Sequence, residues 1–466
     1  MSDPLQMSLR EAASALRSRK LSPVELTQAS LARIRETEPK LNAYVRLTEE
    51  RAMAAARQAE REIAAGIDRG ELHGVPVAVK DLYDMAGLPT TCSSKVRADH
   101  VASGDSACVA RLEQAGAVIV GKTHTHEFAY GAVTPTSGNP WNPDHVPGGS
   151  SGGSGATVAA RGCFMAMGTD TGGSIRIPSA VCGTVGIKPT YGRVSRFGIA
   201  SLSWSLDHAG PLTRTVADAA VCLGVLAGYD HRDPGSADQP VADYLAELEL
   251  GAKGLRIGIP SNYYFDRLDP DVERNARDAI DRLKAEGAEL VDIELPMTDR
   301  IMPVEFGLML PEAAAYHHET LRSRRDRYEP DVLTLLEAGQ LIPATDYLAA
   351  QRVRGQIQAA WRSAWDTHRI DALVAPTVPI PATRRGETVH RWADGQEEQV
   401  ITAYVRLSAP GNVTGLPSIS VPSGFSASGL PTGIQIIGRP FAEARIIRVA
   451  RAYERVVDWS SRAPAI

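Results

Sequence analysis

Apolar positions recur at helical spacing over the first sixty residues. Leu9, Ala12, Ala13 and Leu16 follow a Ser8/Glu11 pair of capping-box type, in which serine and acid each satisfy a free helix N–H. Ser22-Pro23 with Glu25 repeats the signal with proline at the first helical position, and Val24, Leu31 and Ile34 keep one face apolar as far as Pro39. Residues 49–65, rich in Ala, Arg and Glu, predict a third helix. The character changes at Gly74. Residues 75–80 form a short apolar run ending in lysine, residues 105–114 a helical pattern closed by Gly116, and residues 117–120 a second apolar run. Apolar runs without alternation read as strands buried on both faces. Strand, helix, strand at this spacing predicts an α/β protein with a large mixed sheet flanked by helices on both faces.

The later chain continues the pattern. A helix is expected over 215–227, a surface loop over 230–239 and a strand over 255–260. Asp269-Pro270 opens a helix with Val272, Ala276, Ala279 and Leu283 on one face, stopped at Gly287. Val291, Ile293 and Leu295 alternate with Asp292 and Glu294, a strand. Further strands are expected at 371–375, 418–421 and 434–437, with a closing helix over 443–457. Residues 303–368 read as helices and loops rich in Arg, Glu, Tyr and His. No repeat or low-complexity tail breaks the chain. The expected organisation is one domain, 1–466, with a catalytic core at about 74–215 and a helical insertion at about 300–368 covering the site.

Composition narrows the function. The chain has 466 residues, 43% hydrophobic and 23% charged, which is ordinary for a globular protein. A formal net charge of −5 gives no reason to expect a nucleic-acid partner, which usually shows itself as a basic face. Five cysteines without a CxxC spacing suggest reduced thiols, not a disulfide framework or a zinc site. The N-terminal residues lack a signal-peptide pattern and no uncharged apolar run reaches ~18 residues, so the expectation is a cytoplasmic protein with no membrane partner.

The chemistry concentrates at 147–178, PGGSSGGSGATVAARGCFMAMGTDTGGSIRIP. Two glycine-flanked serine clusters, 148–155 and 172–174, are joined by a small, apolar segment. Residues 156–168 there are expected to form a buried helix of about three turns. Glycine lets a backbone or ligand come close, and successive N–H groups beside a serine can hold a developing oxyanion. The competing reading is a flexible Gly/Ser linker, but linkers do not run into an apolar helix and then repeat. Lys80, at the end of an apolar strand, is desolvated and can act as a neutral base; an isolated lysine there can also reach out to solvent. Residues 148–152 also fit G-x-S-x-G, a nucleophile elbow with Ser150 attacking, although the proline-rich loop ahead of it lacks the strand an elbow needs. His124 and His126 invite a metal reading but lack an evident third ligand, and no phosphate-binding P-loop motif is present.

The strings GGSSGGS, GTDTGGSIRIPS and CGTVGIKPTYGRVS closely resemble the signature of the amidase signature family, and weaker likeness runs through nearly the whole chain. The resemblance implies a serine hydrolase that cuts a non-peptide C–N bond with a Ser–cis-Ser–Lys triad. The nucleophile would be Ser174, the bridging serine Ser150 after a cis peptide at Gly149, and the base Lys80. Backbone N–H groups of Thr171, Gly172, Gly173 and Ser174 would form the oxyanion hole. Ser151, Asp170, Arg176 and Asp207 would support the site by hydrogen bonds, although a structural role is as open for each. Cys163 and Cys182 read as packing residues. The family commonly has Asn where this chain has His124, a departure that bears on the pocket near Lys80. Phe128, Tyr130 and Trp141 are expected to shape the pocket, which suggests an apolar or aromatic amide or anilide as substrate. A carbamate could follow the same steps. No metal or organic cofactor is implied, and the protein would be a monomer or homodimer. The motif also resembles the amidase subunit of tRNA-dependent amidotransferases, which passes ammonia to a partner.

Overall fold

The computed structural model describes residues 3–459 and 461–466. Thirteen strands appear among them in chain order: β1 Tyr44–Leu47, β2 Pro76–Lys80, β3 Val118–Thr123, β4 Met165–Asp170, β5 Val185–Lys188, β6 His208–Thr213, β7 Arg256–Pro260, β8 Glu289–Ile293, β9 Ala372–Pro376, β10 Val389–Arg391, β11 Glu397–Gln399, β12 Ser418–Phe425 and β13 Pro431–Gly438. Eleven of them form one mixed sheet in the order β1-β3-β2-β4-β6-β5-β12-β13-β9-β7-β8, while β10 and β11 pair apart from it. β2 runs parallel to both β3 and β4, so Lys80, Thr123 and Asp170 end their strands along the same rim of the sheet. That rim, at the carboxyl ends of parallel strands, is where α/β proteins usually build their sites.

Period-two geometry separates the core. Val77, Val79, Ile119, Met165 and Met167 join one large apolar cluster. Ala78, Val118, Val120 and Ala166, from the same strands, join a second cluster with Leu31, Ile34, Ala52, Ala56, Ala156 and Val158. The central strands are therefore buried on both faces, which is why their sequences do not alternate. Both capping boxes form as the sequence suggests, at Ser8/Glu11 and Ser22/Glu25.

The segment 156–168 does not form one helix. A helix Gly152–Ala159 stops after Ala160, Arg161 adopts a left-handed φ of 65°, and the chain turns into β4. A side chain at Gly162 would meet Thr157 Oγ1 at 2.4 Å, so the turn packs tightly against the helix it leaves. Helices Ile301–Tyr316, Pro330–Gln340 and Ala344–His368 follow β8 and precede β9, which lies next to β7 in the sheet. All five cysteines are buried and free. Among the described residues no helix is long and apolar enough to cross a membrane.

Candidate active site

Lys80 lies on the face of β2 that carries Ala78, and its side chain is fully buried. Its Nζ bonds three hydroxyls: Ser150 Oγ at 2.7 Å, Ser151 Oγ at 2.9 Å and Thr169 Oγ1 at 2.8 Å. None of the three is a carboxylate. Burial therefore depresses the amine's proton affinity, and the more distant charges of Asp170 and Asp207 restore only part, leaving its pKa at about 7. Ser151 fixes this arrangement by accepting from the Thr169 N–H and donating to the Thr169 carbonyl, both at 3.2 Å.

The serine loop is held from both sides. The Gly149–Ser150 peptide is cis. A Cβ at Gly149 would sit 2.5 Å from the Val133 nitrogen, so glycine is required by close approach. The Ser150 carbonyl accepts from the His126 N–H at 3.0 Å and from Thr134 Oγ1 at 3.0 Å. No strand occurs in the segment from Gly131 to Ser151, so the elbow geometry is absent.

Ser174 sits in the second glycine loop, directly after β4, and its residue is 7% exposed. The Ser151 N–H donates to the Ser174 carbonyl at 3.2 Å and ties the two loops together. Among the described residues the Ser174 hydroxyl makes no hydrogen bond, to Ser150 or otherwise; unliganded catalytic contacts commonly tighten only around substrate. The N–H groups of Thr171, Gly172 and Ser174 likewise have no acceptor among the described residues. That of Gly173 is taken by Asp170 Oδ1 at 2.9 Å. Of the four oxyanion candidates, Gly173 is therefore already spent.

Asp170 organises this loop. It accepts from the N–H groups of Gly173 and Ile175 and forms a buried two-pronged pair with Arg176, with Nε to Oδ2 and Nη2 to Oδ1 both at 3.0 Å. Burial pushes its carboxyl up, but Arg176, Lys188 and Asn412 outweigh that and hold it well below the usual carboxylate range. Arg176 also reaches Gln435 at 3.0 Å and Asn412 at 2.6 Å. Asp207 accepts from Thr171 Oγ1 and Ser201 Oγ at 2.7 Å each; burial raises its pKa while these donors oppose the rise.

A cavity of about 230 Å³ opens onto Ser174, lined mainly by Tyr130, Leu202, Phe306, Met309, Ile401 and Val405. Of the three aromatic residues expected in the pocket, only Tyr130 lines it. Phe128 packs edge-on against His317, with ring centroids 4.3 Å apart, and belongs to another recess. Trp141 packs edge-on against Phe425, with ring centroids 4.8 Å apart, and donates from Nε1 to the Cys182 carbonyl at 2.8 Å. His124 faces Ser93 Oγ at 3.1 Å and His126 bonds Asp331 at 2.9 Å, so the two imidazoles serve different partners. Among the described residues no group of three His, Cys, Asp or Glu could hold a metal ion.

The Amidase family model matches residues 25–447. The chain belongs to the Amidase family. Over 467 residues, all of this chain and 99% of the relative, it is 54% identical to an amidase of Pseudomonas putida. It is also 41% identical to a glutamyl-tRNA(Gln) amidotransferase subunit of Myxococcus xanthus, across 98% of both chains. A bacterial aryl acylamidase of the amidase signature family superposes with a TM-score of 0.89 at 28% identity, over 98% of this chain and 97% of the other. As a family member the protein is a hydrolase acting on amide C–N bonds.

Sequence reasoning misses Thr169, the third hydroxyl on Lys80, although it lies inside the GTDTGGS string. It also misses Asn412 and Gln435, which hold Arg176 from more than two hundred residues away. Nothing local in the sequence marks that pairing.

Proposed function

We propose that this chain is a stand-alone amidase for small amides or anilides with an apolar or aryl group, working through an acyl-enzyme on Ser174. The observation that carries the reading is Lys80, a buried amine with a pKa of about 7 that touches only hydroxyls, one of them Ser150 at 2.7 Å. Ser174 Oγ bonds to the amide carbon while its proton passes to Ser150, and the Ser150 proton passes to Lys80. The N–H groups of Thr171, Gly172 and Ser174 receive the oxyanion. As the C–N bond breaks, the proton returns by the same route to the leaving amine. Water then attacks the ester under the same base and releases the acid. The apolar cavity at Ser174 supports an apolar substituent next to the scissile bond.

An aryl carbamate offers the same carbonyl and would give a carbamoyl-enzyme by these steps. The likeness to a chain of a glutamyl-tRNA(Gln) amidotransferase supports a second reading, release of ammonia from glutamine for a partner chain. A panel of anilides, aliphatic amides, aryl carbamates and glutamine, assayed with the purified chain and with Ser174→Ala, decides among them. The amidase reading expects turnover of anilides by the chain alone and none by Ser174→Ala. Turnover of glutamine only would replace it with the second reading.

A further inference from the structure

His126 lies outside the proton route proposed for Ser174, Ser150 and Lys80, yet it is only 2% exposed and grips the Ser150 loop from below. Its backbone N–H donates to the Ser150 carbonyl at 3.0 Å. The Thr134 N–H donates to its Nδ1 at 3.4 Å, and Thr134 Oγ1 donates to the same Ser150 carbonyl at 3.0 Å. Thr134 holds a left-handed φ of 48°, which is unfavourable for a β-branched residue, so its neighbours must keep it there. A Cβ at Gly131 would sit 2.2 Å from the His126 ring, so the ring packs directly against a residue that lines the Ser174 cavity.

The other ring nitrogen reaches a different element. Because Nδ1 accepts, Nε2 carries the proton, and it lies 2.9 Å from Asp331 Oδ2. Asp331 is in the first turn of the helix Pro330–Gln340. That helix places Leu335 in the wall of the Ser174 cavity, together with Phe306 and Met309 of the helix Ile301–Tyr316. Its far end is fixed by packing, since a Cβ at Gly339 would meet the Leu310 carbonyl at 2.2 Å. Its near end is tied to the loop after β3 by two polar contacts, the His126–Asp331 pair and the Glu329 N–H to Glu127 Oε2 at 2.8 Å. One residue thus bonds both the Ser150 backbone and the helix that walls the cavity.

We propose that His126 is a positioning residue that couples the two: through Nε2 it sets where the helix Pro330–Gln340 stands at the cavity, and through Nδ1 it steadies the loop that carries Ser150. The inference rests on the amidase reading of Ser174, because the coupling bears on the reaction only if Ser150 passes protons.

Side-chain length separates the two duties. His126→Asn puts a carbonyl oxygen near the place of Nδ1 but is too short to reach Asp331, whereas His126→Gln puts an amide N–H near the place of Nε2. On an anilide, His126→Asn and Asp331→Ala should each raise KM by about 3–10-fold with kcat held within about 2-fold. The double variant should do no more than either single one, because one tie cannot be cut twice. His126→Gln should keep KM within about 2-fold and lower kcat by about 3–10-fold. KM does not depend on the folded fraction, and kcat is counted per folded molecule, so a partly unfolded preparation distorts neither. Amide exchange over residues 330–340 should quicken by about 3–10-fold in His126→Asn and Asp331→Ala, and stay at the parent rate in His126→Gln. An unchanged KM in both His126→Asn and Asp331→Ala, a double variant whose KM rises by the product of the two, or a His126→Gln variant that behaves like His126→Asn would overturn the proposal. Absence of anilide turnover by the unsubstituted enzyme would instead count against the amidase reading, while the exchange rates would still judge the His126–Asp331 tie.

Discussion

Among the described residues three lysines are buried completely, and only one of them, Lys80, has nothing but hydroxyls as its hydrogen-bond partners. Lys80 and Lys122 lie on neighbouring parallel strands, one register step apart: Val79 pairs with Lys122 and Lys80 with Thr123. Lys122 faces the Asp81 carboxylate at 2.9 Å and also donates to the Pro89 carbonyl and Thr90 Oγ1 at 2.8 Å each. Lys188 donates to the carbonyls of Pro189 and Leu416 at 3.0 and 2.6 Å. Burial, seconded by Arg176, drives the proton affinity of Lys188 far down, yet its acceptors can neither give nor take a proton. Burial alone therefore makes no base. Lys80 differs because its neighbours are hydroxyls, which both accept and donate, and because one of them, Ser151, is tied by its N–H to the loop that carries Ser174.

The largest expected effect breaks that comparison at its centre. Lys80→Met should lower kcat/KM on an anilide by about 10⁴-fold or more, since members of a catalytic unit cost nearly the whole unit when removed singly. Retained turnover at neutral pH would show that the three lysines do not differ in kind. Lys122→Met should act on stability instead. It leaves Asp81 charged and buried, a loss of about 3 kcal/mol read from a denaturant midpoint; the Thr91 and Ser93 N–H bonds to Asp81 keep it from being larger. Activity per folded molecule should stay close to that of the parent.

The pH profile sharpens the same contrast. Below about 7 the Lys80 amine binds a proton and can no longer receive one from Ser150, so kcat/KM should fall as pH drops, by about tenfold per unit. Above that value the amine is neutral and the rate should level. A limb centred near the ordinary lysine value would mean that burial does not set the base.

How far the sequence foretells this depends on the range of the signal. Lys80, Ser150, Ser151 and Ser174 are legible because glycine loops and an apolar strand end are local features, and the structure brings them together on one rim. β4 reads as the end of a helix because a strand buried on both faces shows no alternation; Met165 and Met167 enter one core and Ala166 the other. β6 escapes notice because Gly210 and Pro211 argue against a central strand. Its ladder to β5 reaches only Thr213 and Leu212, so no partner there needs the N–H that Pro211 lacks. Only nearness in sequence suggests Phe128 and Trp141 for the pocket, and their rings bury against His317 and Phe425 instead. Thr169 and the Arg176 partners depend on strand order, which no short window contains.

Lys188 gives the finest test. It sits close enough to Asp170 and Arg176 to feel both charges, and its carbon chain runs beside Gly411, which the Arg176 guanidinium also approaches. Replacing it with Met keeps much of the volume and removes two donors, leaving the Pro189 and Leu416 carbonyls buried and unpaired. Each such group costs about 1–3 kcal/mol, but the variant no longer has to desolvate an amine, so the net loss should be about 1–2 kcal/mol. If Lys188 only braces the sheet, Lys188→Met should melt earlier while kcat and its pH midpoint stay in place. A shift of that midpoint away from about 7 would mean that Lys188 tunes Lys80 through the Asp170–Arg176 pair, and the two buried amines would have to be treated as one coupled system.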